Sequence, residues 1–118
     1  MIVTFVDAGV LIAAARGRPE VSLAAMAILD DPDRSFASSE FVRLEVLPKA
    51  LFNRKSDEAE FYVEFFAAVA HWPANTDAVV HDAYDIGARF GLSALDALHI
   101  AAAVAAGAEE MVTTREAR

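Results

Sequence analysis

The chain opens on a run with almost no polar break, Met1–Val6, in which Ile2, Val3, Phe5 and Val6 come close together. Apolar side chains on both faces of a pleat predict a short strand buried on both sides. Asp7 follows at once, and the apolar run Ala8–Ala15 predicts a helix that ends at Arg16-Gly17. Pro19 suits the first turn of a second helix, with Val21, Leu23, Ala24, Ala27 and Ile28 at its apolar positions and Asp30-Asp31-Pro32-Asp33 as its stop. Ser35-Phe36-Ala37 predicts a second strand. Ser38 or Ser39 then caps a third helix, from about Glu40 to Phe52, with Phe41, Leu44, Leu47 and Leu51 at helical spacing. Pro48 inside it is expected to bend the helix or lift one backbone bond.

Ser56-Asp57-Glu58-Ala59-Glu60 opens a fourth helix, a cap followed by acids as the helix dipole favours. Phe61, Phe65, Phe66 and Val69 mark its buried face, and His71-Trp72-Pro73 predicts its end and a third, minimal strand. Thr76 is expected to cap a fifth helix that Gly91 stops after Phe90, and Ser93 a sixth that Gly107 stops after Ala106. Glu109–Thr114 reads as the last strand. Short strands separated by one or two helices predict an α/β fold: a small parallel sheet of about four short strands flanked by helices on both faces, in one domain spanning 1–118. In such sheets ligands bind at the carboxyl ends of the strands.

Composition narrows the function. With 118 residues, 56% hydrophobic and 24% charged, the chain suits one core and excludes intrinsic disorder. Lys+Arg number 10 against 18 Asp+Glu, and the formal charge of −8 argues against a broad, sequence-independent grip on nucleic acid. The absence of cysteine excludes disulfide scaffolds, thiolate zinc sites and cysteine nucleophiles. The longest charge-free apolar stretch, Ala97–Ala108, contains His99 and falls well short of the roughly 20 residues of a membrane span. Asp7 interrupts what would be a signal-peptide core, so the expectation is a cytoplasmic protein with no membrane. Its excess apolar surface is expected to meet another chain.

Several chemistries lack their residues. There is no glycine-rich dinucleotide or P-loop motif, no G-x-S-x-G elbow and no H-E-x-x-H spacing among His71, His81 and His99. Asp7-Ala8-Gly9 has no second acid two residues on, against an aspartyl-phosphate phosphatase. Three acids, however, sit in apolar surroundings: Asp7 between Val6 and Ala8, Glu45 in Leu44-Glu45-Val46-Leu47, and Asp96 in Ala94-Leu95-Asp96-Ala97-Leu98. Each has an ordinary explanation. Asp7 can cap the helix it precedes, Glu45 can pair with Lys49 at i+4, and Asp96 can complete a capping arrangement begun by Ser93. Taken together, all three lie at strand-to-helix junctions or early in a helix that follows a strand, points that converge on one edge of a parallel sheet. Carboxylates so clustered repel unless a hard divalent cation neutralises them, which points to Mg²⁺ or Mn²⁺ and to phosphodiester hydrolysis.

The residues also carry a family resemblance. Ile2-Val3-Thr4-Phe5-Val6-Asp7 with Leu11 resembles the opening of PIN-domain proteins, as does Ser38-Ser39-Glu40-Phe41-Val42-Arg43-Leu44-Glu45-Val46-Leu47. The most specific block is Gly91-Leu92-Ser93-Ala94-Leu95-Asp96-Ala97-Leu98-His99-Ile100-Ala101, followed by Gly107 and the strand to Thr113-Thr114. Among PIN proteins the size resembles the VapC-type toxins of toxin–antitoxin pairs. The resemblance implies a metal-dependent endoribonuclease with Asp7, Glu45 and Asp96 as catalytic and metal-binding acids, a small antitoxin partner and a homodimer. The family's fourth acid follows the last strand's threonine; here Arg115 comes first and then Glu116, which is the candidate replacement. Arg115 also motivates an alternative, a PIN-like protein-binding module with an impaired site.

Smaller features complete the reading. Thr113 can hydrogen-bond an acid at the site, and Ser39 is best read as a cap. His99, one helical turn after Asp96, reads as a packed, hydrogen-bonded histidine rather than a catalytic group. Arg43, Lys49, Arg54 and Lys55 are the basic concentration nearest Glu45, either a solvated helix face or a guide for a phosphate backbone.

Overall fold

β1 (Ile2–Val6) forms the centre of the sheet. In the computed structural model, which describes residues 1–114, it pairs in parallel with β2 (Arg34–Ala37) on one side and β3 (Glu110–Val112) on the other. The register sets Phe5 beside Ala37 and Met111, and Val6 beside Val112. Phe5 and Val6 are wholly buried, as a strand covered on both faces requires. An ion pair from Arg34 to Glu110, whose carboxylate also accepts the Thr4 hydroxyl at 2.7 Å, ties the two outer strands across β1.

Among the described residues the sheet has three strands rather than about four. The strand expected at His71-Trp72-Pro73 is a single bridge between Ala37 and His71, with the amides of Ala70 and His71 both reaching Phe36 and the Ser38 amide reaching His71. Pro73 has no N–H to extend the ladder, so pairing stops there.

Among the described residues six helices flank the sheet: α1 (Ala8–Arg16), α2 (Pro19–Leu29), α3 (Glu40–Phe52), α4 (Ser56–Ala68), α5 (Thr76–Phe90) and α6 (Ala94–Ala105). The capping signals hold at α3, α5 and α6 but not at α4, where Lys55 rather than the expected Ser56 holds the N-cap position and no side chain caps the helix. Ser39 rather than Ser38 caps α3, and Ser93 caps α6. Asn75, one residue before the expected Thr76, caps α5 through Ala78 N–H, and Gly91 ends it with a left-handed φ of 66°. α3 continues through Pro48.

Helix faces depart more from expectation. α3 buries Val42, Val46 and Ala50, while Leu44 and Leu51 are more than 60% exposed. α2 buries Ala25, with Met26, Ile28 and Leu29 against the core and Leu23 in solvent. α4 buries Ala59, Tyr62 and Phe66, and Phe61 and Phe65 only edge the core. On α3 the slimmer stripe lies against the neighbouring helices, because close approach of two helix axes favours it over a row of leucines. Burial and the hydrogen bond from the Tyr62 hydroxyl to Glu58, 2.8 Å long, hold that phenol's pKa well above its ordinary value. Among the described residues no single helix is long and apolar enough to cross a membrane.

Candidate functional site

The carboxyl end of β1 delivers Asp7 to the mouth of the sheet. Its backbone is still paired, the amide donating to the Val112 carbonyl at 3.2 Å. Its side chain caps α1, Oδ1 accepting from Val10 N–H at 3.1 Å, and Oδ2 accepts the Thr113 hydroxyl from the end of β3. Asp7 is only 7% exposed. Two hydrogen bonds and the positive end of α1 offset the cost of burying its charge. The capping explanation of Asp7 is therefore correct and does not remove it from the site.

Glu45 comes from the middle of α3. It does not pair with Lys49. Its Oε1 accepts instead from His99 Nε2, 2.8 Å away on α6. The preference follows from magnitudes. An exposed i,i+4 ion pair contributes about 0.3–0.5 kcal/mol, whereas a hydrogen bond to a charged group contributes about 1.5–3 kcal/mol. His99 is 5% exposed, its ring 6.3 Å from that of Phe5, and its Nδ1 has no partner. Among the described residues the carboxylate is thus its one polar contact. The packed histidine expected from the sequence is observed; what sequence reasoning missed is that it holds Glu45. The available signal was an imidazole in the apolar run after Asp96, which needs an acceptor once buried.

Asp96 stands in the first turn of α6, its amide donating to the Ser93 hydroxyl at 3.3 Å. Ser93 supplies its half of the expected capping arrangement, and Asp96 lines the cavity. A cavity of about 480 Å³ is lined by Asp7, Glu45, Asp96, His99, Thr113 and Thr114 together, with no lysine or arginine among its described walls. Gly9 forms part of its floor: a Cβ there would lie 2.3 Å from Thr114 Oγ1 and 3.2 Å from Asp7 Oδ1. Arg115 and Glu116 lie outside the described residues.

Three acids far apart in the chain thus share one cavity, but they are not a ready-made ligand cage. Among the described residues no three His, Asp or Glu side chains stand close enough together to hold an ion as a group. Asp7 is engaged by Val10 and Thr113, and Glu45 by His99. Among the described walls the charged oxygen donors are nevertheless the three carboxylates, with no ammonium or guanidinium beside them. Mg²⁺ characteristically uses one or two carboxylates and keeps several waters, so the residues present fit a hydrated divalent cation.

A three-stranded parallel sheet whose carboxyl edge opens into an acidic cavity defines the class: an α/β protein with a site suited to a hard cation and a phosphate ester. The family model for the PIN domain matches residues 4–117, and the chain belongs to the PIN-domain family. PIN domains are generally nucleases, typically dependent on divalent metal ions. No curated protein matches the chain.

Proposed function

We propose that this protein is an endoribonuclease dependent on Mg²⁺ or Mn²⁺, acting in the cytoplasm as the toxin of a toxin–antitoxin pair. The observation that carries the reading is the meeting of Asp7, Glu45 and Asp96, from three separate elements, in one cavity. These three acids would hold the metal, with Glu116 as a candidate fourth. When bound, the cation would supply the Lewis acidity that activates an attacking water and stabilises charge on the phosphodiester. The chain's own residues do the rest. Thr113 and the first turn of α1 fix the Asp7 carboxylate, His99 fixes Glu45, and the first turn of α6 sets Asp96 at the cavity wall.

A small antitoxin and a second copy of the chain are the proposed partners. The apolar side chains left in solvent on α3 (Leu44, Leu51, Phe52) and α5 (Tyr84, Phe90) support an interface with another chain.

The test is cleavage of single-stranded and structured RNA by purified protein in Mn²⁺. Cutting should stop in EDTA and be lost on Asp7→Asn and on Asp96→Asn; activity that survives both substitutions refutes the assignment. The separation of the acids favours a second reading, a protein-binding module with an impaired site. Calorimetric titration decides between them, since Mn²⁺ binding that disappears in Asp96→Asn excludes a dead site.

A further inference from the structure

Among the described residues Arg18, Arg34 and Arg43 pair with carboxylates, whereas Arg16, Lys49, Arg54, Lys55 and Arg89 do not. Four of the unpaired cations come together. A cavity of about 150 Å³ is lined by Arg16, Lys49 and Lys55, and it shares two wall residues, Ile12 and Glu45, with the acidic cavity. A further cavity of about 580 Å³ is lined by Arg16, Arg54 and Lys55 and shares Arg16 and Lys55 with the former. The three therefore adjoin one another in a row through shared wall residues. On α1 Arg16 follows Ile12 by one turn, and on α3 Lys49 follows Glu45 by one turn, a rise of about 6 Å in each case.

The local chain is arranged to keep these charges there. After α3 the backbone closes with Arg54 N–H on Leu51 and Lys55 N–H on Ala50. This closure sets Arg54 at a left-handed φ of 55°, a position where glycine is the ordinary choice. α4 then starts beside Lys55 with no side-chain cap, and its first turn, the positive end of its dipole, lines the larger of the two basic cavities. Asp57 lines the larger of these two cavities and Glu58 lines both, its carboxylate accepting the Tyr62 hydroxyl. Arg43, by contrast, leaves the basic group seen in the sequence: its guanidinium lies 5.3 Å from the Phe66 ring centre and 5.0 Å from that of Trp72, and it pairs with Glu40.

We propose that Arg16, Lys49, Arg54 and Lys55 form a track for the sugar–phosphate backbone of single-stranded RNA leading out of the acidic cavity. A row of exposed, unpaired cations in a mainly polar groove suits repeating phosphates; a protein partner would look for apolar anchors. The track deepens the nuclease reading and rests on it for its direction, but its test requires no cleavage. Anisotropy of a short labelled single-stranded RNA is followed in EDTA across a salt series. Against the wild-type chain, the combined Arg16→Gln, Lys49→Gln, Arg54→Gln and Lys55→Gln variant should bind at least tenfold more weakly at low salt. The slope of log affinity against log salt should fall by nearly three, about 0.7 for each cation lost. Arg16→Lys with Arg54→Lys should retain both, and Arg89→Gln should bind as wild type. Unchanged binding by the quadruple variant overturns the track, as does failure of the wild-type chain to bind. Displacement of RNA by polyglutamate as effectively as by unlabelled RNA also overturns it and reassigns the groove to an acidic protein. A chain that never cuts but shows the expected slopes keeps the track and loses the nuclease reading; one that cuts with unaltered slopes does the reverse.

Discussion

Glu45→Ala is the substitution that most directly probes how the site is held. It removes the acceptor of His99 Nε2, in a ring 5% exposed whose other nitrogen already has no partner. Glu45 itself is one-third exposed, so little packing is lost and the cost comes almost entirely from the orphaned imidazole. Losing a hydrogen bond to a charged group amounts to about 2 kcal/mol. For a chain of 118 residues, an unfolding entropy of about 2.1 cal/mol/K per residue converts this to a Tm roughly 8 °C lower. Glu45→Gln keeps an acceptor oxygen and should lose less than about 1 kcal/mol. Urea unfolding in EDTA, which removes any contribution from metal, measures both. A cycle with His99→Ala should give a coupling of about 1–2 kcal/mol between the two positions. A coupling near zero, or equal losses from Gln and Ala, would show that the contact does not hold Glu45 and would refute the reasoning.

Three further outcomes are expected. Gly9→Ala places a methyl against Thr114 Oγ1 and Asp7 Oδ1, and should cost about 1 kcal/mol in urea unfolding and weaken Mn²⁺ binding by calorimetry. Tyr62, with its pKa raised in the fold, contributes stability that is complete below its unfolded value of about 10 and is lost as pH rises above it; Tyr62→Phe should be less stable at neutral pH yet lack that alkaline loss in melts between pH 9 and 11. Arg54→Gly should raise stability by about 1 kcal/mol by relieving the left-handed backbone, while weakening RNA binding.

What the sequence revealed was local. Asp7, Ser39, Ser93 and Gly91 announce helix ends because capping is decided within four residues, and each does what its type predicts. The faces of α2 and α3 were harder. α3 carries two apolar stripes, Leu44 and Leu51 on one and Val42, Val46 and Ala50 on the other, and only the presence of α1, α4 and α6 selects the second. The acids of the cavity were legible because a carboxylate in an apolar run needs an explanation. Their partners were not, since His99 and Glu45 are 54 positions apart. The same limit hid Arg16, which joins Lys49, Arg54 and Lys55 only in space, and kept Arg43 among them although it stacks elsewhere.

Net charge is a weak guide to what this surface binds. At physiological salt the Debye length is about 8 Å, so most of the 18 acids are screened from a strand of RNA lying at the cavity mouth. What such a strand meets is the charge within that radius, and one helical turn places Arg16 and Lys49 about 6 Å beyond Ile12 and Glu45. The −8 total excludes a broad basic grip, but it leaves room for a narrow one. On the proposed reading the two charge signs divide the work. The acidic cavity repels phosphate until a cation neutralises it, and the basic groove beside it holds the backbone whether or not the cation is present. Affinity and metal dependence should then be separable: cations lost from the groove weaken RNA binding and leave Mn²⁺ binding intact, while Asp7→Asn and Asp96→Asn do the opposite.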